Sequence, residues 1–168
     1  MIIRSATIDD AQALLDIYAP YVQQTAITFE YEVPSLDEFR RRMTVFSSCY
    51  PYLVAEDNGQ IVGYCYACAF HERAAYQWSV ETCIYVKQDE RHKGIGYLLH
   101  EALEKALRQQ GILNMNACIA YTDHEDEYLT LDSVHFHERL GYTLAAHFHR
   151  CGKKFDRWYD MVWMEKLL

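Results

Sequence analysis

The feature that most constrains this chain lies in its middle. Ser79 to Val86 is an apolar, β-rich run. A polar turn follows, and Arg91-His92-Lys93-Gly94-Ile95-Gly96 then opens a helical pattern. That pattern runs from Gly94 to about Gln110, with Leu98, Leu99, Ala102, Leu103, Ala106 and Leu107 as one apolar stripe. A strand feeding an amphipathic helix through a glycine-spaced loop calls for a sheet with a helix crossing over it. Two glycines at this spacing let the backbone turn tightly and let amide N–H groups face outward. The helix start adds unpaired N–H groups and the positive end of its dipole. Arg91 and Lys93 add charge, so the junction reads as a cradle for a pyrophosphate.

The two common nucleotide cradles do not fit. A dinucleotide fingerprint needs a third glycine, but the residue three after Gly96 is Leu99. A phosphate-binding P-loop needs Gly-Lys-Ser/Thr, but Gly96 is followed by Tyr97-Leu98. On these six residues alone, a solvated basic turn before a helix stands beside the cradle as an alternative.

The flanking chain supplies the rest of a mixed sheet. Ile2 to Ala6 reads as a short strand, and Thr7 or Asp9 can cap a helix to about Ala19, where Pro20 is expected to end or kink it. Ser35-Leu36-Asp37-Glu38 is a capping box opening a helix to about Thr44. Tyr52 to Glu56 and Gln60 to Ala69, separated by Asp57-Asn58-Gly59, predict an antiparallel hairpin. Gly111 is a left-handed cap after the central helix. Met115 to Ala120 is a strand, Asp132 to Leu140 a short helix stopped by Gly141, and Tyr142 to His149 and Met161 to Leu167 late strands. The expected order is β, α, α, β, β, β, α, β, α, β, β, in an α/β class with an antiparallel front half.

Composition narrows the partners. With 3 prolines, 7 glycines and no linker or repeat, 168 residues are expected to form a single domain, 1–168. A net charge of −8 argues against nucleic acid, so an anionic ligand needs a local cationic or amide-lined site. Of the 6 cysteines only Cys65 and Cys68 are close, and their spacing of three places them on opposite strand faces, so buried thiols are expected rather than a metal or redox pair. The pairs His135/His137 and His147/His149 do not converge by spacing alone, and no metal is expected. Met1-Ile2-Ile3-Arg4 lacks a leader pattern, and no apolar stretch approaches the roughly 20 residues of a membrane span. The expectation is a reduced, cytoplasmic protein without a membrane partner.

Arg91-x-x-Gly94-x-Gly96 after a strand resembles the coenzyme A loop of the GNAT acetyltransferase superfamily, and more specifically of its phosphinothricin and methionine-sulfone acetyltransferases. The likeness covers nearly the whole chain. It includes the arm Thr25-Ala26-Ile27-Thr28-Phe29-Glu30, the strand Tyr50 to Glu56 with Gly63-Tyr64, and Val80-Glu81 with Tyr85-Val86. Ser133-Val134-His135-Phe136-His137-Glu138-Arg139-Leu140-Gly141-Tyr142 is similar to the family's Ser-Val-x-Leu-His-Glu-x-Leu-Gly-Tyr helix, and Gly152-Lys153 with Trp158-Tyr159-Asp160 to its final hairpin. Two departures stand out. Thr130 replaces the usual Asn three residues before the serine, and an acidic segment, Asp123-His124-Glu125-Asp126-Glu127, leads to it. That segment is either a selector of cationic substrates or a solvated loop.

The resemblance implies an acetyl-CoA-dependent N-acetyltransferase acting on the amine of an amino-acid-like small molecule, with homodimers common among relatives. It implies that backbone groups of Ile84, Tyr85 and Val86 hold the pantetheine and thioester, that N–H groups from His92 through Lys93, Gly94, Ile95 and Gly96 to Tyr97 hold the pyrophosphate beside Arg91, and that Thr130 adds a contact. Glu81 becomes the candidate base, His137 a second acid/base or positioning group, and Tyr142 a candidate to protonate the leaving thiolate. Phe29 and Glu30 would close the substrate pocket. Acetylation of polyamines or of protein N-termini and lysines, or a catalytically silent acyl-CoA-binding module, are the rival readings.

Overall fold

The computed structural model describes residues 1–168 as a seven-stranded sheet with four α-helices. The elements are β1 (Ile2–Ser5), α1 (Ala11–Gln24), α2 (Leu36–Ser47), β2 (Tyr52–Asp57), β3 (Gln60–Ala69), β4 (Ser79–Val86), α3 (Ile95–Gln109), β5 (Asn114–Tyr121), α4 (Asp132–Arg139), β6 (Thr143–Lys154) and β7 (Arg157–Leu167). The order is that expected, and the sheet runs β1-β2-β3-β4-β5-β7-β6. Every neighbouring pair is antiparallel except β4 and β5, which α3 joins as parallel strands. No helix is long and apolar enough to cross a membrane.

Both faces of the sheet are covered. Leu99, Leu103 and Leu107 of α3 pack on Val80, Met115, Ala117, Val162 and Met164. On the opposite face Leu14, Tyr18 and Tyr21 of α1 and Phe39 and Met43 of α2 pack on Tyr52, Val54 and Tyr64. Pro20 does not end α1, which continues to Gln24. An internal proline costs about 3 kcal/mol. Tyr21 and Val22 beyond it are 5% and 1% exposed, and burying side chains of that kind stabilises by about 1.5–3 kcal/mol each. Helical propensity therefore loses to packing. The late strands are also longer than expected. They meet at a turn in which Phe155 and Asp156 both take positive φ, without the glycine that would have marked it.

The parallel pairing positions the site. It covers only Ser79↔Asn114, Val80↔Met115 and Glu81↔Asn116. Beyond Glu81, β4 stays with β3 as far as Val86↔Gly63, whereas β5 follows β7 as far as Tyr121↔Asp160. A V-shaped gap opens between them, with Glu81 at its vertex.

Candidate active site

The gap exposes backbone that a sheet would otherwise consume. At the start of β4, Trp78 accepts from Leu113 and Asn114 on the β5 side, while Ser79 accepts from Phe70 on the β3 side. Beyond its end, Lys87 donates to Val62. Alternation along the strand then directs the N–H and C=O of Ile84 and Val86 into the gap and those of Tyr85 toward β3. The Val86 carbonyl is already taken by the Tyr21 hydroxyl at 2.5 Å. The implied role of Tyr85 backbone groups is thus not supported by the strand's geometry, although the residue lines the gap.

The mouth of the gap is a cleft of about 580 Å³ that runs to the start of α3. Gly94 holds φ +81° and ψ 0° as the residue before the helix, a conformation that a side chain disfavours. The first α3 backbone bond runs from Leu98 N–H to Gly94 C=O, so the N–H groups of Ile95, Gly96 and Tyr97 have no acceptor within the helix. A Cβ on Gly96 would come within 3.2 Å of the Phe136 ring, so glycine there lets α4 close against α3. Arg91 lines the cleft and bonds Asp132 across it at 3.1 Å. Free N–H groups, a helix N-terminus and one arginine suit a pyrophosphate, and the narrow gap behind them suits a flexible thioester arm. His92 and Thr130 also line the cleft. Lys93 does not, and it pairs with Glu90 at 2.7 Å instead.

Deeper in the gap a cavity of about 60 Å³ is bounded by Thr82, Cys83, Ala117, Ile119 and the buried His137. His137 Nδ1 lies 2.7 Å from the Ser133 carbonyl, which can only accept. The proton therefore sits on Nδ1, and the Nε2 lone pair has no protein partner. Burial lowers the His137 pKa, which keeps the ring neutral. Glu81 is half-buried at the vertex with no hydrogen bond to the protein, and burial pushes its carboxyl up from the ordinary range. Its neighbours across the strands are Cys68 and Asn116.

Other sequence-singled residues lie elsewhere. Tyr142 lines neither cavity, and its hydroxyl meets His100 Nε2 at 2.9 Å inside the α3 core. Its ring also stands edge-on to that of His137, with centroids 5.0 Å apart, and His137 lines the smaller cavity. Glu30 makes a two-pronged ion pair with Arg42 at 2.7 and 3.0 Å and accepts from the Tyr18 hydroxyl at 2.5 Å. Phe29 packs on Gly152, where any Cβ would collide with its ring. The arm reaches the cleft through Ile27, which lines both cavities and had no polar signal to single it out. Tyr21 carries no signal in the sequence, because it lies just past Pro20, where the helix is expected to end or kink. In the acidic segment, Asp126 and Glu127 pair with Arg157 at 3.0 and 2.8 Å, and Glu125 accepts from Leu131 N–H. These contacts make it a tied loop rather than a free acidic mouth.

A sheet splayed beside a glycine-capped helix, with an unpartnered carboxylate at the vertex, defines the class: an acyltransferase of the splayed-sheet kind. The acetyltransferase (GNAT) domain family matches residues 3–163. The chain is 31% identical over 164 residues to the phosphinothricin N-acetyltransferase of Streptomyces viridochromogenes, covering 98% of this chain and 86% of that one. It is 33% identical over 165 residues to the L-methionine sulfoximine/L-methionine sulfone acetyltransferase of Pseudomonas aeruginosa, covering 97% and 92%. The crystal structure of a GNAT superfamily phosphinothricin acetyltransferase from Sinorhizobium meliloti in complex with acetyl-CoA has a TM-score of 0.91 and 32% identity, covering 99% and 88%. The chain belongs to the GNAT acetyltransferase family.

Proposed function

We propose that this chain, acting as one domain over residues 1–168, transfers the acetyl group of acetyl-CoA to the primary amine of a small amino-acid-like molecule of the phosphinothricin, methionine sulfone or methionine sulfoximine type. The observation that carries this reading is the gap itself, a channel lined by unpaired strand backbone that starts at an amide-rich helix N-terminus and ends at Glu81. The substrates named for the two relatives supply the acceptor class. The thioester supplies an activated acetyl group. N–H groups of α3 with Arg91 hold the pyrophosphate, and Ile84 and Val86 N–H groups hold the arm. A preorganised N–H aimed at the developing oxyanion is worth about 3 kcal/mol of barrier.

Two proton movements complete the reaction. Glu81 takes the proton from the substrate ammonium through a water, which its raised pKa favours. After nitrogen attacks the carbonyl carbon, His137 Nε2 accepts the nitrogen's next proton and passes it to the departing sulfur. Ile27 bounds the acceptor side in place of Phe29 and Glu30, which hold the arm in shape. The 6 free cysteines fit a reducing, cytoplasmic compartment. A homodimer belongs to the same reading, with edge strand β6 open to pairing.

The test is thiol release from acetyl-CoA with methionine sulfone, methionine sulfoximine, phosphinothricin, polyamines and short peptides. Turnover on the amino-acid analogues is expected. Turnover confined to polyamines or peptides would replace the acceptor class, and tight coenzyme binding without turnover on any amine would leave only a binding module.

A further inference from the structure

Outside the cleft, one group of side chains has the chemistry of a ligand set. His147 Nε2 lies 2.7 Å from Asp160 Oδ2, and the His149 ring stacks on His147 with centroids 4.2 Å apart. Donor atoms of all three residues lie within 4.8 Å of one another. None of the three lines either cavity of the gap.

Strand spacing does not produce this arrangement. Residues two apart on a strand share a face but sit about 6.6 Å apart. Here the pairing of β6 with β7 is broken between Phe148 and Gly152, and Arg150 takes φ +48°. The bulge brings His149 back over His147. It also turns the Arg150 N–H onto Asp160 Oδ1 at 2.8 Å, which fixes the carboxylate and leaves Oδ2 toward His147. A backbone N–H that holds one carboxylate oxygen while the other is free to ligate is the way outer groups orient metal ligands. The Tyr121 ring packs edge-on against His147, with centroids 4.9 Å apart, and steadies that imidazole.

We propose that His147, His149 and Asp160 bind one divalent transition-metal ion of the zinc type, with water completing its shell. Two imidazoles and a carboxylate suit zinc, cobalt or nickel, whereas calcium and magnesium prefer all-oxygen shells. Bonds of about 2.0–2.1 Å in a tetrahedral shell place neighbouring donors about 3.3 Å apart. The His147–Asp160 pair is already within that reach. His149 is exposed, and turning out of its stack would close the rest. The ion fastens the β6 bulge to β7 beside the end of β5. It is an accessory site and takes no part in acetyl transfer.

The experiment uses the full chain stripped with a chelator and titrated with Co²⁺ and then Zn²⁺. Visible cobalt absorption, competition with a chelating dye and thermal denaturation are the readouts. Expected are one equivalent bound at micromolar affinity, a cobalt spectrum without a thiolate charge-transfer band, and a rise in Tm. His149→Ala and Asp160→Asn each weaken binding by about 10- to 100-fold or more, judged from the cost of losing even an outer-shell partner. His149→Ala leaves acetyl transfer and circular dichroism unchanged, which separates loss of metal from loss of fold. Failure of the wild type to bind below millimolar concentration would reduce the cluster to a histidine–carboxylate ion pair. Binding that survives His149→Ala, or a charge-transfer band abolished by Cys151→Ser, would move the ion to other ligands and overturn the proposal.

Discussion

Glu81 must be ionised to act as a base, and burial pushes its pKa up from 4.5. The acid limb of kcat/KM is therefore expected above the value of a free glutamate, with activity falling as pH drops through it. Glu81→Gln should lower kcat by about 10²- to 10⁴-fold and remove that limb from the profile. A variant that keeps both rate and limb would hand the proton to another group. Tyr142 gives the complementary case. Its hydroxyl is committed to His100, so Tyr142→Phe should leave kcat within a few-fold of wild type while costing about 1 kcal/mol of stability. A drop in kcat of two orders of magnitude at unchanged Tm would restore Tyr142 as the thiolate acid.

At the scale of elements, the decisive junction is β4, its loop and α3. Gly94 needs its left-handed conformation, and Gly96 needs its missing side chain. Gly96→Ala should raise KM for acetyl-CoA, because the added methyl pushes Phe136 and α4 away from the start of α3. Adding Phe136→Leu should recover much of the loss. If the second substitution deepens the defect instead, Phe136 is needed for the coenzyme itself. Much of this was legible in the sequence, since strand, loop and helix are contiguous and each has its own periodicity. The choice of side chains was not. Whether Phe29, Ile27 or Glu30 faces the gap depends on Gly152 and Arg42, which are distant in sequence. Likewise the acidic segment reads from sequence as either a substrate selector or a solvated loop, and only its distant partner Arg157 distinguishes the two. Spacing alone does not bring His147 and His149 together, because the break in pairing between Phe148 and Gly152 overrides the strand's regular repeat.

For the whole molecule, the response to acid depends on groups far from the cleft. Asp10, Glu30, Glu104 and Asp126 all have lowered pKa values, so the stability they contribute is lost only as pH falls below the ordinary carboxylate range of about 4. His100 acts in a different window. Burial first, then the positive charge of Lys166, lower its pKa from 6.5 to about 4. Between those values the unfolded chain binds a proton that the native protein refuses. The contribution of His100 is thus complete above about pH 6.5 and lost progressively as pH falls toward 4, an effect on the order of 3 kcal/mol in all. His137, also lowered by burial, adds to the same slope, whereas Glu81 opposes it by favouring the protonated native form. Stability should therefore decline across mildly acidic pH before any paired carboxylate titrates. His100→Gln retains a donor for Tyr142 but cannot take up the proton. Its unfolding free energy, measured by urea denaturation from about pH 4.5 to 7, should follow a shallower curve than the wild type, by up to one proton's worth of slope. Parallel curves would mean that His100 is protonated in the native core, and that the α3 interface holds a charge its packing does not lead one to expect.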